Sequence, residues 1–235
     1  MSAPREPPAT GESFDVTAIN RVRQVRERGH YDRETVFAIL DAGLVAHVAF
    51  VDQGRPVVIP MAYGRDGDRI FLHGARKSRI ATATAGAPVS IGVTLVDGIV
   101  VARSMFESSM NYRAVVIHGH AVELEGEDER LHAMRCITAQ TLPGRWDEVR
   151  APYEKELKAT AILEVTIEAA SAKVRQGPAV DDYAEIYDER VWVGVVPVLT
   201  TFGAPVANST VPGDVPIPAS LRIGRNSTAG HVGNS

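Results

Sequence analysis

The sequence has 235 residues, of which 45% are hydrophobic and 23% are charged, and its formal net charge is −4. This composition is that of an ordinary globular protein, so it excludes a largely disordered chain. The slightly acidic balance argues against a nucleic-acid binder that works by neutralising phosphates.

The cysteine count and the distribution of apolar residues indicate the cellular compartment. Its single cysteine, Cys136, excludes an intrachain disulfide and suits a reducing compartment. The N-terminal residues have no apolar segment of the secretory type, and no apolar run approaches the roughly 20 residues of a membrane helix. We therefore expect a cytoplasmic protein that binds neither membranes nor nucleic acid.

Three regions differ in composition. Residues 1–20 are rich in Pro, Ser, Thr and Glu and are predicted to form a flexible leader. Residues 201–235 are rich in Pro and Gly and are predicted to be an extended tail, unless another surface pins them. The folded unit is expected over residues 21–200.

The first predicted helix begins after Asp32 and stops at Gly43. Asp32 is suited to capping the free backbone N–H groups, and Gly43 is a common helix stop. Val36, Ile39 and Leu40 recur at helical spacing and form one apolar stripe. A short helix is also expected over Arg76–Ala85, and further helices over Glu127–Thr141 and Tyr153–Lys158.

Strands account for most of the remaining pattern. Turn signals at Asp52–Gly54, Arg65–Asp68 and Asp97–Gly98 separate short apolar runs, which should pair antiparallel. The predicted strands are Leu44–Val51, Arg55–Tyr63, Arg69–His73, Pro88–Val96, Ile99–Arg103, Tyr112–Leu124, Thr160–Glu168, Lys173–Arg175 and Val191–Val196. Many short strands with few helices predict a mainly β fold with flanking helices, built as a closed or half-closed antiparallel barrel.

The common catalytic and metal motifs are missing. No glycine-rich dinucleotide or phosphate loop, GxSxG, CxxC or HExxH is present. His118 and His120 are two apart and share a strand face, but two ligands without a third are weak evidence, so no metal site is predicted. Cys136 is predicted to be a packed thiol because apolar residues flank it.

One segment carries a chemical signal. A predicted strand ends at His73-Gly74, a helix follows almost at once, and Arg76, Lys77, Ser78 and Arg79 lie at the junction. Free N–H groups at a helix start favour an anion, and the side chains add cations and a hydroxyl. Gly74 allows close backbone approach. The pattern indicates a phosphate site, although a solvated basic turn is the alternative.

The segment LHGARKSRIATATAGAPVSIGV resembles the phosphate-binding part of the pyridoxamine 5′-phosphate oxidase-like flavoproteins, which are FMN-binding split barrels. RERGHYDRETVFAILDAGLVAHVAFV, RPVVIPMAYGRDGDRIFLHGA, SSMNYRAVVIHGHAVEL and VWVGVVPV are similar to other parts of that family, in the same order. The resemblance covers about residues 22–200. It is closest to the flavin-nucleotide-binding branch related to nitroimidazole-resistance proteins.

The resemblance implies a homodimer with FMN at the interface, and it implies roles for particular residues. Arg76, Lys77 and Ser78 would hold the phosphate beside His73, Gly74 and Ala75. Two further groups would contact the flavin ring. The first is Pro60, Met61, Ala62 and Tyr63, and the second is Ser109, Asn111, Tyr112 and Arg113. Trp192, from either subunit, would complete the pocket. His73 is the candidate catalytic residue, because histidines exchange protons near neutral pH. Each aromatic or charged residue could instead have a purely structural role.

The leading hypothesis is an FMN-dependent oxidoreductase with an unidentified small-molecule substrate or reductant. The Trp-Arg-rich C-terminal segment that closes over the vitamin in pyridoxamine phosphate oxidase itself is missing, which argues against that substrate. The alternatives are a non-catalytic flavin-binding or sensory protein and a haem-binding split barrel that uses His47, His118 or His120. FAD or a deazaflavin could replace FMN.

Overall fold

The computed structural model describes residues 12–84, 86–180 and 190–222. The helices span Arg33–Ala42 (α1), Arg79–Ala83 (α2), Glu127–Thr141 (α3), Glu154–Ala159 (α4) and Ala219–Arg222 (α5). The strands span Gly29–His30 (β1), Ala46–Asp52 (β2), Arg55–Met61 (β3), Tyr63–Asp66 (β4), Arg69–Ala75 (β5), Pro88–Val101 (β6), Ser109–Glu123 (β7), Thr160–Thr166 (β8), Ala169–Arg175 (β9) and Gly194–Pro197 (β10).

The strands form one antiparallel sheet whose main path is β3-β2-β6-β7-β8-β5-β4. Strand β9 joins β7 and carries β1, while β10 adds to the end of β6. The prediction of a mainly β, antiparallel split barrel with flanking helices is confirmed. The sheet is not closed, because β3 and β4 end the path without pairing with each other.

Helix α1 covers the inner face of this sheet, as its sequence predicts. The Asp32 carboxylate accepts a hydrogen bond from the Thr35 N–H (2.8 Å), and the Gly43 N–H donates to Ile39 at the other end. Val36, Ile39 and Leu40 are buried in the main core. Local capping signals are enough to define this helix.

The packed chain begins before residue 21. Phe14 is buried in the core and meets the Phe37 ring edge-on, with the Arg33 guanidinium 4.3 Å from the Phe14 ring centre. The predicted leader boundary at residue 20 therefore differs from the structure, because one aromatic side chain anchors the preceding segment. Residues 1–11 lie outside the described part.

The predicted turn at Asp97-Gly98 is wrong. Strand β6 runs through it, and the irregularity is a bulge between Val96 and Gly98 in the pairing with β7. Two contacts stabilise the bulge: the Asp97 carboxylate accepts two hydrogen bonds from Arg113, and β10 pairs with the residues that follow. The predicted strand Ile99–Arg103 is thus mostly the end of β6.

Two other predicted elements have different limits. The expected strand Arg55–Tyr63 is divided at Ala62, because β3 pairs with β2 whereas β4 pairs with β5. The expected helix Arg76–Ala85 begins three residues later, at Arg79, because the Arg76 N–H donates to Ala159 (3.1 Å) and the Ser78 N–H closes a turn onto Ala75 (2.8 Å).

Helix α3 rests directly on β4. A Cβ atom added to Gly64 would lie 2.4 Å from backbone atoms of Cys136 and Ile137, so only glycine permits this approach. Cys136 is partly buried in this contact, and burial raises the pKa of its thiol. A packed thiol is the expected state of such a residue.

The C-terminal segment is pinned at one point. The Ser220 backbone N–H and hydroxyl donate to the Glu148 carboxylate at 2.9 and 2.5 Å, and Ser220 is buried. Between β10 and α5 the chain is extended and mostly exposed, as the composition predicts. Residues 223–235 of the predicted tail lie outside the described part. No helix in the described ranges has the length and apolarity needed to cross a bilayer.

Candidate functional site

The turn between β5 and α2 contains a buried hydroxyl without a partner. Ser78 Oγ is shielded from solvent and makes no hydrogen bond among the described residues. It faces Gly74, where an added Cβ would lie 3.0 Å from Ser78 Oγ and 3.2 Å from Ile80. Glycine at position 74 thus lets the Ser78 side chain pack against the backbone, where its hydroxyl is an unused donor of the kind that an oxyanion accepts.

The four side chains predicted to form the phosphate site differ in their contacts. Arg76 donates to the Glu123 carboxylate (2.7 Å) and to the Lys158 carbonyl (2.9 Å), and Arg79 lies 3.3 Å from the Asp52 carboxylate. Lys77 is exposed and forms no ion pair within the described ranges. Lys77 and Ser78 are therefore the two groups free to bind a phosphate.

The first group of predicted ring contacts lies next to this turn. Tyr63 pairs with Leu72, the residue before His73, so Pro60–Tyr63 and His73–Ser78 occupy the same end of the sheet. Pro60 is exposed, Met61 and Ala62 are partly buried, and both His73 and Ala75 are exposed. We call these two segments the β5 end.

Tyr63 itself is a core residue. Its side chain is completely buried, and its hydroxyl donates to the Leu40 carbonyl, with the Gly43 carbonyl at 3.3 Å. Burial raises the pKa of this phenol well above its usual range. The backbone of Tyr63 is near the turn, whereas its side chain points into the α1 contact.

The second group of predicted contacts lies at the start of β7, whereas Arg76 of the first group bonds Glu123 at the end of this strand. Ser109 pairs with Val100, and Gly194, two residues after Trp192, pairs with the neighbouring Val101. Ser109 and Trp192 are exposed, whereas Asn111 is buried and donates to the Gly177 carbonyl (3.0 Å). We call Ser109–Arg113 together with Trp192 the β7 start.

The phosphate-binding part of the first group and the second group lie at opposite ends of β7. Arg76 of the β5 end is bound to Glu123, the last residue of β7, and Tyr112 lies near its first residue. At roughly 3.3 Å per residue, about 35 Å of strand separates them. The structure thus brings the predicted contacts together in two clusters rather than one.

The outer face of the sheet is uncovered and carries apolar side chains together with His47, His118 and Thr94. Strand alternation and register place Val51, Val58 and Val116 on it, with side-chain exposures of 63%, 60% and 42%. Residues with small side chains lie between them, Ala49, Ser90, Gly92 and Ala114. An exposed apolar face of this kind marks an interaction surface.

A cleft of about 320 Å³ opens on this face. His118 Nδ1 lies 2.8 Å from Ser90 Oγ in the cleft, and burial lowers the pKa of this imidazole, which favours its neutral form. His120 faces the same cleft and bonds Glu168 (2.7 Å). The remaining lining is largely apolar: Ile19, Ala49, Phe50, Val51, Pro56 and Val89.

No group of three or more His, Cys, Asp or Glu side chains in the described ranges is arranged to hold a metal ion. The described histidines differ in their contacts. His30, His120 and His132 lie near carboxylates, whereas His47 and His73 have no hydrogen bond or ion pair among the described residues. A neutral imidazole with one nitrogen already bonded, as in His118, is the form that ligates iron.

One group of cations at the β7 start is not among the residues predicted from the sequence. Arg175 is buried at the end of β9, directly opposite Tyr112, and Arg28 lies near it. A signal was available, since Arg21, Arg23, Arg26 and Arg28 lie within eight residues. The approach of Arg175 was not visible, because it depends on the pairing of β1 with β9.

The open antiparallel sheet, the glycine-serine turn and the split set of contacts define a split-barrel protein of the flavin-binding class. A family profile described as pyridoxamine 5′-phosphate oxidase matches residues 32–174, and the chain belongs to that family. A comparison with curated proteins finds no match.

Two solved structures are similar over most of the chain. The flavocytochrome Anf3 from Azotobacter vinelandii is 34% identical, with a TM-score of 0.83, over 89% of this chain and 97% of that one. An FAD- and haem-binding protein from Mycobacterium smegmatis is 37% identical, with a TM-score of 0.78, over 83% and 96%. A proposed 5-nitroimidazole antibiotic resistance protein from Bacteroides thetaiotaomicron shares the fold at 19% identity and a TM-score of 0.53, over 62% and 86%.

Proposed function

We propose that this protein is a homodimeric flavin-dependent redox protein, with each flavin bound between the β5 end of one subunit and the β7 start of its partner. The observation that carries the proposal is the buried, unpartnered Ser78 hydroxyl beside Gly74 and the unpaired Lys77, in a chain of this family. An unused buried donor costs folding free energy, which a bound phosphate would recover.

Each cluster has a separate task. Lys77 and Ser78 bind the phosphate, and Gly74 lets the Ser78 side chain lie close to the backbone of the turn. Pro60, Met61 and Ala62 give an apolar edge for the ring, while Tyr112 and Trp192 of the partner cover it. His73 is exposed next to the phosphate turn, where it can give or take a proton. When bound, a flavin supplies hydride or single-electron transfer.

The dimer follows from the distance between the clusters. About 35 Å of β7, at roughly 3.3 Å per residue, separates Arg76 from Tyr112 along one chain, which favours a flavin held between two subunits. A two-fold axis brings unlike ends of two chains together twice, which creates two equivalent sites. The apolar outer face of the sheet supplies the contact area.

The first experiment measures flavin retention. The purified protein is loaded with FMN or FAD and desalted, and we expect the flavin absorption bands to remain. Lys77→Ala should weaken retention because it removes the unpaired cation, whereas Lys155→Ala, an exposed lysine on α4, serves as the matched control. Loss of all flavin from the wild type would contradict the proposal, and equal retention in both variants would remove the phosphate assignment.

The second experiment tests the shared site by mixing subunits. Lys77→Ala and Tyr112→Ala homodimers each carry one lesion in every site. A heterodimer formed by unfolding and refolding the mixture has one intact site and one with both lesions. Random pairing then restores binding at about a quarter of the sites. If both clusters served the same chain's flavin, mixing would restore nothing.

Turnover distinguishes an oxidoreductase from a flavin-binding or sensory protein. The loaded dimer is reduced with NADPH or NADH, and reoxidation is followed with a panel of electron acceptors. We expect reduction followed by acceptor-dependent reoxidation. A flavin that binds but does not cycle with any acceptor would assign the protein to the non-catalytic alternative.

We also propose that the protein binds haem. The two similar structures named above are a flavocytochrome and an FAD- and haem-binding protein, and the His118 cleft offers a neutral imidazole in apolar surroundings. Ser90 fixes the ring through Nδ1, which leaves Nε2 as the free ligand atom.

Haem addition should produce a strong Soret band, and His118→Ala should shift or abolish it. His120→Ala is the matched control, because that imidazole shares the cleft but bonds Glu168. A Soret band that survives His118→Ala and disappears in His47→Ala or His73→Ala would move the ligand to one of the unbonded histidines. A wild type without a Soret band would contradict haem binding.

A further inference from the structure

Arg175 is a buried cation whose hydrogen bonds within the described ranges go to neutral groups. Its side chain is only 6% exposed, and its guanidinium donates to neutral acceptors, the Asn111 Oδ1 (2.5 Å) and the Pro178 carbonyl (3.3 Å). No carboxylate among the described residues pairs with it. A buried charge normally has a counter-charge, because desolvation is costly. Burial together with the nearby Arg28 lowers the pKa of Arg175.

A second cation, Arg28, is held beside it. Arg28 ends a 3₁₀ turn over Arg26–Arg28, and the next residues, Gly29–His30, pair with β9 opposite Lys173 and Ala172. This register brings Arg28 to the end of β9, where Arg175 lies. Among the described residues, Arg28 has no ion pair. Two like charges held together without an anion are a net cost to the fold.

The segment that carries Arg28 is also strained. Val25, just before the 3₁₀ turn, has φ = 51° and ψ = 64°, the left-handed conformation that a β-branched residue rarely adopts. Strain of this kind is found where a chain is shaped around a ligand. Arg21, Arg23 and Arg26 are exposed on the same segment, whose one acid is Glu27, in the 3₁₀ turn.

We propose that Arg28 and Arg175 form an oxyanion site, which binds a phosphate or carboxylate group of a small organic ligand. The site lies at the β7 start, because Arg175 is paired with Tyr112 and bonded to Asn111. It is separate from Lys77 and Ser78 and does not depend on flavin binding there. The ligand supplies the counter-charge that Arg28 and Arg175 do not receive from the described residues.

The alternative is that Arg175 only hydrogen-bonds the β7–β9 end. Neutral acceptors such as Asn111 Oδ1 and the Pro178 carbonyl do not require a cation, so a neutral donor would serve that purpose equally well. The two explanations therefore differ in whether charge matters. They also differ for Arg28, which has no role in the structural explanation.

The test measures the melting temperature of the full chain with and without inorganic pyrophosphate, against sodium chloride at equal ionic strength. We expect pyrophosphate to raise the melting temperature specifically, because a ligand that binds only the folded state stabilises it. Arg28→Gln should lose most of this rise. Arg23→Gln, an exposed arginine on the same segment, should keep it.

Arg175→Gln adds a second readout. It keeps amide donors but removes the charge, so its melting temperature without pyrophosphate should match or exceed that of the wild type, and the pyrophosphate effect should vanish. A purely structural Arg175 would give a lower melting temperature and an unchanged pyrophosphate effect. That result, or an Arg28→Gln protein that responds like the wild type, would overturn the proposal. If Arg175→Gln does not fold, the Arg28 comparison still decides.

Paired ligands then identify the source of the anion. If it is the second phosphate of FAD, Arg28→Gln lowers affinity for FAD but not for FMN. If it is a haem propionate, the variant lowers affinity for haem but not for its dimethyl ester. If it is a nicotinamide nucleotide, the variant reduces the preference for NADPH over NADH. These arms remain distinct from flavin retention at Lys77, so the two proposals fail independently.

Discussion

At the level of one residue, Ser78 carries most of the argument for the proposed phosphate site. The hydroxyl is buried and has no partner, although Ser78 precedes α2, where serine often caps a helix. Removing an unsatisfied buried donor should therefore cost the unliganded protein nothing. The same change removes a hydrogen bond to a bound phosphate.

We predict opposite effects of Ser78→Ala on stability and on binding. The melting temperature of the flavin-free protein should be equal to or higher than that of the wild type, because an unsatisfied polar group costs about 1–3 kcal/mol. Flavin affinity should fall about tenfold, which corresponds to one charge-assisted hydrogen bond of roughly 1.4 kcal/mol. Calorimetry and flavin titration measure the two effects, and a destabilised apoprotein with unchanged affinity would contradict this role.

The sequence pattern identifies the turn that we propose to bind phosphate, but it does not rank the residues of that turn. Arg76 and Arg79 look equivalent to Lys77, yet their charges are compensated by Glu123 and Asp52, which belong to other strands. Those pairings depend on tertiary contacts and leave no local trace. Tyr63 is similar, because only the α1 contact reveals that its hydroxyl is used inside the core.

At the level of the elements, helices with strong end signals are predictable and interrupted strands are not. Helix α3 matches its predicted limits, Glu127–Thr141, and α1 follows its cap at Asp32. The bulge at Asp97 and the division at Ala62 have turn-like sequences, but their conformations are decided by neighbouring strands. Their pairing energy outweighs the local turn preference.

The α3–β4 contact predicts a severe effect of Gly64→Ala. The new methyl group would lie 2.4 Å from the α3 backbone, so the helix must move away from the sheet. Overpacking of this kind costs about 1–3 kcal/mol or more. Urea denaturation should show that loss for Gly64→Ala and almost none for Gly203→Ala, whose added Cβ meets nothing within 4 Å. Equal stabilities would contradict the close approach.

Helix α4 should make a pH-dependent contribution to stability. Hydrogen bonds from Arg150 and from the Tyr153 N–H lower the pKa of the Glu156 carboxyl from 4.5 to about 2. Because the folded pKa is depressed, this contribution is present above pH 4.5 and is lost as the pH falls towards 2. Melting temperatures between pH 6 and 2.5 should fall less steeply for Glu156→Gln. If the melting temperatures of the wild type and of Glu156→Gln fall in parallel with pH, this contribution of Glu156 is contradicted.

At the level of the whole molecule, the uncovered sheet face should determine both assembly and flavin binding. A lysine at Val116, opposite Gly92 in the middle of this face, would place a charge in the proposed dimer contact. We expect Val116→Lys to halve the mass measured by light scattering and to abolish flavin retention. Val149→Lys, at an equally exposed position outside the sheet, is the control. A Val116→Lys dimer that retains flavin would contradict this arrangement.

Strand β7 has a consequence for how such a dimer fills with flavin. In the proposed assembly each β7 starts in one flavin site and ends in the other, so two strands connect the two sites. Binding of the first flavin orders one end of each β7 strand. The second flavin therefore binds to subunits that have already lost part of their conformational entropy. Binding of this kind is cooperative, and the two sites of one dimer should fill together rather than singly.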